Sequence, residues 1–396
     1  MKFFKEGELK LIGPFYLEAL FSSMLFFAPA FIIVYLRDLG LSLFQISLLT
    51  MMMPLFMIIF EVPTGAIADI YGRKFSVLLG AIITGLAFLS IFFLTDYYTL
   101  LFAFAMVGFG TTFASGAREA WTIDLIKKEK KDFLKGYLTK NSSFISAGLV
   151  ISGIIGALLV KQFGVSIIWI FAGISYLITF LLLGLAKEDF VRKKVKIKDS
   201  LKNIIRQSKV SIKYARNHTV LFAFLIATSF LVFANQFNGS LAWIPFLQNL
   251  NFPDYAFGYL WSGMGAVGIF APLISLKFLK KDGERKFILN IIILTILVLI
   301  LVVFAKSVLF AFLIIMFQLF LGGMSQPVER NYFHRFIKSK LRATIGSIES
   351  MLISLVAIIS MPLAGLSMDY FGAEYTILLS ALLMIPAAII FFKIKD

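Results

Sequence analysis

The chain of 396 residues is 60% apolar and 15% charged, whereas soluble domains are roughly 45–50% apolar and about 25% charged. Sixty percent of the chain is about 238 residues, close to the roughly 240 that a dozen membrane helices of about 20 residues require. This composition argues against a soluble enzyme, the absence of cysteine excludes disulfides and thiolate metal sites, and the net charge of +16 points to an anionic partner, either nucleic acid or a membrane surface.

The amino-terminal segment, MKFFKEGELK, carries Glu6 and Glu8 and precedes no small-residue cleavage site, so no removable signal peptide is predicted. After it, apolar runs long enough to span a membrane alternate with Gly, Pro or charge clusters. Twelve spans are predicted, at residues 11–36, 43–69, 74–94, 98–123, 141–161, 165–186, 218–247, 255–279, 286–305, 307–330, 343–368 and 372–392. Joins as short as Thr95-Asp96-Tyr97 require neighbouring helices to be antiparallel hairpins. The predicted fold class is all-α integral membrane, with twelve transmembrane helices.

Basic residues fall almost entirely on one side of these spans. With the amino terminus inside, 34 of the 38 Lys+Arg lie in the termini and the even-numbered connections, and only Arg37, Lys161, Lys306 and the intramembrane Arg118 do not. This positive-inside bias predicts a multi-pass protein of the cell membrane with both termini in the cytoplasm. The charge of +16 then indicates anchoring to anionic lipids of the inner leaflet rather than binding of nucleic acid.

The longest connection, residues 187–216, carries eleven Lys+Arg against three acidic residues and separates six spans from six. Its apolar positions recur at helical spacing and fit an amphipathic helix on the inner leaflet: Leu201, Ile204, Ile205 and Ile212. A solvated linker is the alternative. The predicted domains are an amino-terminal six-helix bundle, this basic linker and a carboxy-terminal six-helix bundle, at residues 1–186, 187–216 and 217–396.

The two halves repeat each other faintly. A shift of 210 residues places Ser115 on Ser325 and Glu119 on Glu329, and the hydropathy rhythm of the halves matches. Parallel repeats with a substrate site at their interface are typical of secondary transporters. The halves are therefore predicted to form two pseudo-symmetric six-helix bundles that transport a small molecule.

The most specific string in the chain is Gly65-Ala-Ile-Ala-Asp69-Ile-Tyr-Gly72-Arg73-Lys74, at the inner end of the second span. Gly72 permits a tight turn, Arg73 and Lys74 reach the lipid headgroups, and Asp69 is an anion at the membrane boundary that needs a partner. With this string the chain resembles the major facilitator superfamily, whose signature is Gly-x-x-x-Asp-x-x-Gly-Arg-Arg/Lys between the second and third of twelve helices. The resemblance covers the whole chain through the six-plus-six topology, the basic central loop and the repeat.

The resemblance implies a two-lobed transporter whose central cavity opens alternately to the two sides of the membrane. It also implies that the motif helps to close the cytoplasmic side, with Asp69 at the amino end of the helix that begins near Arg342-Ala343-Thr344 and Arg73 paired with Asp124. An anion is favourable at a helix amino terminus. The alternative is that Arg73 and Lys74 only follow the positive-inside bias.

Two departures from the family pattern argue against proton-coupled antiport. The early part of the fourth span, Ala103-Phe104-Ala105-Met106-Val107-Gly108, lacks the Arg that many proton-coupled members carry. The fifth span has Gly148, Gly153 and Gly156 but lacks the Pro of the antiporter pattern.

Ionisable side chains within the spans are the candidates for ion coupling and for lining the cavity, because charge inside a membrane is costly. They lie towards the inner ends of their spans: Glu18, Glu61, Arg118, Glu119, Glu329, Arg330 and Glu349. The carboxylates outnumber the guanidinium groups, so some must be protonated or meet cavity water. Glu18 and Glu61 are the preferred coupling candidates. The alternative for Glu119 and Glu329 is structural, with the adjacent Arg118 and Arg330 neutralising nearby carboxylates within each half and holding helices together. A polar cluster in the seventh span is a further candidate: Asn235, Gln236 and Asn238.

Signals for enzymatic or cofactor chemistry are weak. Gly263-Met-Gly265-Ala-Val-Gly268 matches a dinucleotide-binding pattern, but it lies inside an apolar span, where small residues serve helix packing. The sequence shows no phosphate-binding loop, catalytic triad or metal-ligand constellation. The chain is therefore predicted not to be an enzyme and to need no cofactor or metal.

The predicted function is secondary active transport by alternating access, namely ion-gradient-driven efflux of small lipophilic or amphipathic compounds, since some of the 45 Phe residues must line the cavity. Protons are the candidate coupling ion, and the protein is expected to act as a monomer. Two alternatives stay open. One is a facilitator or uptake carrier for a polar metabolite, which the Asn and Gln cluster favours; the other is a non-transporting receptor or lipid scramblase on the same fold.

Overall fold

The computed structural model describes residues 4–128, 133–188, 214, 216–279, 283–337 and 341–394. The helices in this part of the chain are α1 (Glu8–Leu25), α2 (Ile32–Asp38), α3 (Leu43–Tyr71), α4 (Arg73–Ile91), α5 (Tyr97–Thr112), α6 (Ala117–Lys128), α7 (Leu134–Phe163), α8 (Ile167–Gly184), α9 (Thr219–Phe237), α10 (Ser240–Asn249), α11 (Phe257–Phe278), α12 (Glu284–Ile300), α13 (Val308–Arg335) and α14 (Arg342–Lys393). Short 3-10 helices cover Ala28–Ala30, Asp254–Ala256 and Leu301–Phe304. The described residues contain no strand, and the prediction of an all-helical fold is confirmed.

Eleven helical segments of the described chain are long and apolar enough to cross a membrane. The last of them, Ile345–Lys393, holds Gly372 in a non-helical conformation (φ 83°, ψ 166°) that divides α14 into two spans. The result is the twelve predicted spans. An even number of spans puts both chain termini on one side of the membrane, here called the terminus side, and the opposite side is here called the far side.

The joins between spans are short because single residues reverse the chain. Gly72 and Gly372 have positive φ values, a conformation that is open to glycine and costly for other residues. At the join predicted around Asp96, the Asp96 carboxylate accepts the amides of Tyr98 and Thr99, each at 3.0 Å, and so caps the start of α5. Successive helices can therefore run as hairpins, as the short connections predicted.

The described residues form two compact units. Unit 1 comprises those within Met1–Tyr35, Met52–Leu201 and Tyr255–Gly265, and unit 2 those within Leu36–Met51, Lys202–Asp254 and Ala266–Asp396. Two helices are thus divided: the start of α3 belongs to unit 2 and the start of α11 belongs to unit 1. The predicted domain boundaries after residues 186 and 216 stay a prediction, and the amphipathic helix predicted around residues 201–212 lies outside the described residues.

Small residues let the helices of unit 1 approach closely. A Cβ added to Gly258 in α11 would lie 2.7 Å from the amide nitrogen of Ala157 in α7. A Cβ on Gly265, within the dinucleotide-like string, would lie 3.1 Å from the amide nitrogen of Val150. These glycines therefore serve close packing of α11 on α7, which is the reading that the apolar context of the string favoured.

Unit 2 combines an aromatic core with polar contacts at its far side. Phe224 in α9 and Phe391 in α14 are almost fully buried and meet edge to face with ring centroids 6.0 Å apart. On the far side, Arg37 donates a hydrogen bond to the Gln248 side chain at the end of α10, and Gln248 Nε2 donates to Asp254 Oδ1 at 2.7 Å. These hydrogen bonds hold the end of α2 against the end of α10 within unit 2.

Candidate functional site

A buried carboxylate in the first span of unit 1 is neutralised by an arginine that is distant in the chain. Glu18 in α1 has 5% of its side chain exposed and accepts an ion-paired hydrogen bond from Arg118 in α6. Thr179 donates to the same carboxylate at 3.2 Å and Ser22 at 3.3 Å. The paired charges cancel, which is the condition for keeping either of them inside a membrane. Arg118 thus pairs with α1 and not with the adjacent Glu119.

Glu61 in α3 and Glu119 in α6 stand apart from this pair. Both residues are exposed and lie in membrane-spanning segments, and neither carboxylate forms a hydrogen bond or ion pair with another described residue. An unpaired carboxylate is costly against lipid hydrocarbon. The role of Glu61 and Glu119 in ion coupling or in lining a cavity stays a prediction.

Unit 2 carries a second set of charges on α13 and α14. Ser325 donates a hydrogen bond to Glu329 one turn along α13, and Arg330 Nη1 lies 3.5 Å from Glu349 Oε2. The Glu349 side chain is 10% exposed and that of Arg330 is 63% exposed, so this pair runs from the interior of the unit to its surface. Arg330 thus serves Glu349 rather than the adjacent Glu329.

The structure separates the three polar residues of the seventh span. Asn238 lies at the break between α9 and α10 and is 3% exposed. Its side-chain oxygen accepts from Gln318 Nε2 at 2.8 Å, and Gln318 in turn accepts from Trp243 Nε1 at 3.1 Å. Asn238 therefore serves the interior of unit 2, whereas Asn235 is exposed and Gln236 half-buried. A role for the latter two in binding a substrate stays a prediction.

One of the two contacts that the resemblance implies for the motif at the end of α3 is present in the structure. Arg73 donates a hydrogen bond to Asp124 in α6, the pair that the resemblance implied. Gly72, with φ 103°, makes the turn into α4. Asp69 is exposed and forms no hydrogen bond or ion pair with a described residue. Its position at the amino end of the helix that begins at Arg342 stays a prediction.

Glu188, shortly after the end of α8, bonds to the last two residues of this motif. Its Oε1 accepts the backbone amides of the first two residues of α4, Arg73 at 2.6 Å and Lys74 at 3.0 Å. Lys74 Nζ donates to the carbonyl oxygens of Gly184 and Ala186, both at 2.7 Å. The carboxylate thus caps the start of one helix and the ammonium the end of another. From the sequence, Glu188 was only one of the acidic residues in a basic linker.

Replacement of Glu188 by Ala is expected to lower the free energy of unfolding by about 1 kcal/mol, the usual cost of losing a helix cap. The reason is that two amides at the start of α4 lose their acceptor. The thermal midpoint of the purified protein in detergent measures the effect. Glu6→Ala is the matched control, since Glu6 is exposed and accepts no hydrogen bond from a described residue. Equal midpoints for the two variants would contradict the capping role.

Sequence comparisons match this chain to known membrane proteins. A family model described as Major Facilitator Superfamily matches residues 16–317. An uncharacterised MFS-type transporter of Bacillus subtilis (strain 168) is 24% identical over 377 residues, which are 93% of this chain and 92% of that protein. An uncharacterised MFS-type transporter of Methanocaldococcus jannaschii is 25% identical over 212 residues, so that match spans 53% of each chain.

Solved structures share the fold. A mutant form of the nucleoside transporter NupG has a TM-score of 0.77 at 13% identity, covering 96% of this chain and 99% of that one. A bacterial homologue of the iron transporter ferroportin, in an inward-facing state, has a TM-score of 0.71 at 14% identity, with the same coverage of 96% and 99%. An auto-inhibited peptide transporter of the POT family has a TM-score of 0.71 at 11% identity, covering 97% of each chain. At these identities the likeness shows the fold alone.

Proposed function

Because the chain belongs to the Major Facilitator Superfamily of membrane transporters, we propose that it exports small lipophilic or amphipathic compounds by alternating access, driven by an ion gradient. The observation that carries the proposal is the pair of unpaired carboxylates, Glu61 and Glu119, on exposed faces of membrane-spanning segments. Each can bind a proton from one side of the membrane and release it to the other. A proton gradient can therefore do work on a substrate that competes for the same carboxylate.

The surface around Glu61 suits an amphipathic cargo. Met57, one helical turn before Glu61 in α3, and the adjacent Val62 are 37% and 36% exposed. A cationic head can pair with the Glu61 carboxylate while an apolar body covers these side chains, so that both parts of the molecule gain from the contact. The proposed cargo is therefore lipophilic and carries a positive charge.

The proposal places the terminus side in the cytoplasm, because 34 of the 38 Lys+Arg belong to the termini and the connections on that side. The basic surface then contacts anionic lipids of the inner leaflet of the cell membrane. A monomer suffices for transport in this scheme, since one chain carries both six-helix halves.

Uptake into liposomes tests the function. The purified protein is reconstituted into liposomes with an acidic interior, and uptake of the fluorescent lipophilic cation ethidium is followed. Antiport against protons predicts faster uptake than in protein-free liposomes and loss of the difference when a protonophore collapses the gradient. The export proposal fails if neither ethidium nor a panel of neutral lipophilic dyes responds to the gradient.

A second candidate is a facilitator or uptake carrier for a polar metabolite. The exposed Asn235 and the half-buried Gln236 favour it, because amide groups can donate to and accept from a polar solute. Counterflow of radiolabelled polar solutes in liposomes without any gradient separates the two functions. Counterflow of a polar solute, without gradient-driven uptake of lipophilic dyes, would select the second.

A further inference from the structure

The string at the end of α3 recurs at the far end of the eleventh span. Gly65-Ala-Ile-Ala-Asp69-Ile-Tyr-Gly72 and Gly365-Leu-Ser-Met-Asp369-Tyr-Phe-Gly372 share two glycines, an aspartate and an aromatic residue at identical spacing. The backbone repeats as well: Gly72 has φ 103° and ψ 152°, and Gly372 has φ 83° and ψ 166°. In both places a helix ends with the aspartate in its last turn and the next helix starts directly after the glycine. The two strings lie on opposite sides of the membrane.

The far-side string is engaged with the start of α3. Asp369 Oδ1 accepts the amide of Leu43 at 3.0 Å and Asp369 Oδ2 accepts that of Phe44 at 2.9 Å. The next amide, of Gln45, is accepted by Ser42 Oγ at 3.2 Å, and Gln45 Oε1 accepts the Ser42 amide at 2.9 Å. All four amides that a helix start leaves open are therefore satisfied, two of them by a residue more than 300 positions away.

Close packing lies on the same face of α14 as this hydrogen-bonded contact. Gly365 precedes Asp369 by one helical turn, so the two positions share a face. A Cβ on Gly365 would lie 2.8 Å from the Leu43 carbonyl oxygen and 2.8 Å from Ser47 Cβ. The first glycine of the string thus provides room for the first turn of α3, and the aspartate caps it.

The terminus-side string is not engaged in the same structure. Outside its own helix, no described heavy atom lies within 4 Å of the position that a Cβ on Gly65 would take. Asp69 is exposed, and its carboxylate has no hydrogen bond or ion pair with a described residue. One aspartate of the two strings is therefore bonded to a helix start, and the other has no such partner among the described residues.

The hydrogen-bonded contact of Asp369 is favoured by the dipole of α3 and disfavoured by the dipole of α14. Asp369 lies in the last turn before Gly372, where the negative end of the helix dipole disfavours a carboxylate. The amides at the start of α3 present the positive end of another dipole and offset that cost. If α3 moved away, the Asp369 carboxylate would stay near the negative end of its own helix dipole, and two amides of α3 would lose their acceptor. The contact therefore favours two discrete states, bonded and separated, over intermediate ones.

We propose that Asp369, with the Leu43 and Phe44 amides, forms a far-side latch that is closed in one state of the transport cycle and open in the other. It would be the counterpart of the closure that the resemblance assigns to Asp69 on the terminus side. Asp369 near the end of the first span of α14 caps the start of α3, and the resemblance implies the converse for Asp69 near the end of α3. The inference rests on the alternating-access transport proposed above.

Distances between spin labels test the latch without any substrate. The chain has no cysteine, so Tyr98→Cys and Phe304→Cys, at positions that are 76% and 68% exposed at the far side, can be labelled uniquely. Pulsed electron paramagnetic resonance then gives the distribution of the label distance in the purified protein. Asp369→Ala is expected to raise the ratio of long-distance to short-distance molecules by about 2- to 30-fold, the factor that loss of a helix cap corresponds to.

Three further variants make the outcome specific. Gly365→Ala inserts a methyl group against α3 and should shift the ratio the same way, which keeps the test valid if Asp369→Ala fails to fold. Asp69→Ala should shift it the opposite way. Glu6→Ala removes an exposed carboxylate that accepts no hydrogen bond from a described residue and should leave the distances unchanged. The latch is refuted if Asp369→Ala and Gly365→Ala both give the distribution of Glu6→Ala. A shifted distribution without any gradient-driven flux would instead uphold the latch and refute the export function.

Discussion

Replacing Glu61 or Glu119 by Gln is expected to reduce gradient-driven uptake of a lipophilic cation by about 5- to 150-fold, the range of coupling free energies between linked sites. Gln keeps the shape of Glu but neither binds and releases a proton nor carries a charge. Both residues are exposed in membrane-spanning segments and unpaired among the described residues, so the substitutions break no described contact. The initial rate of uptake into liposomes with an acidic interior measures the effect.

The matched control for these variants is Glu374→Gln, which removes one carboxylate at the far-side connection after Gly372. Gradient-driven uptake by this variant should equal that of the unmodified protein. Thermal midpoints should be alike for all three variants, because no described ion pair is lost. Full gradient-driven uptake by both Glu61→Gln and Glu119→Gln would rule out these carboxylates as the coupling groups.

Arg118→Gln is expected to destabilise the protein by about 3–5 kcal/mol, the usual cost of leaving one member of a buried ion pair without its partner. Glu18 has 5% of its side chain exposed, so without Arg118 it must either take up a proton or stay charged with only hydroxyl partners. Glu18→Gln should cost less, since 28% of the Arg118 side chain is exposed and its charge can be hydrated. The thermal midpoint in detergent reports both effects.

A double-mutant cycle separates the pair from other effects of the substitutions. Glu18→Gln combined with Arg118→Gln leaves no charge in the site, so the double variant should be more stable than Arg118→Gln alone. Strictly additive losses would show that the two side chains do not stabilise each other. In that case the observed contact would contribute nothing to folding.

The membrane topology was predictable because it depends on local composition. A bilayer requires about 20 apolar residues per helix, and this requirement marked all twelve spans along the chain. Gly72 was identified as a turn because the string around it ends an apolar run with charges. The pairing of Arg73 with Asp124 came from the resemblance, since nothing in the spacing of the two residues indicates a contact. In each of these cases the information lies in neighbouring residues or in a family pattern.

The partners of the intramembrane charges were not predictable in this way. The sequence indicated that Arg118 and Arg330 could neutralise nearby carboxylates within each half, but not which ones; the structure pairs Arg118 with Glu18 and Arg330 with Glu349. Adjacent side chains on a helix point in directions about 100° apart and seldom face each other. The partner is the residue that a neighbouring helix brings to the same face and depth.

Hydrophobic length and charge bias act locally along the chain, so they were enough to predict a twelve-span membrane protein with one basic side. The three-dimensional structure was needed to show which intramembrane charges are paired and which are not. Glu18 and Arg118 pair with each other and Asn238 bonds to Gln318, whereas Glu61 and Glu119 stay exposed. It also decided that Asp369 caps the start of α3. Such contacts join residues that are distant in the chain, and they form only where the packing of whole helices brings those residues together.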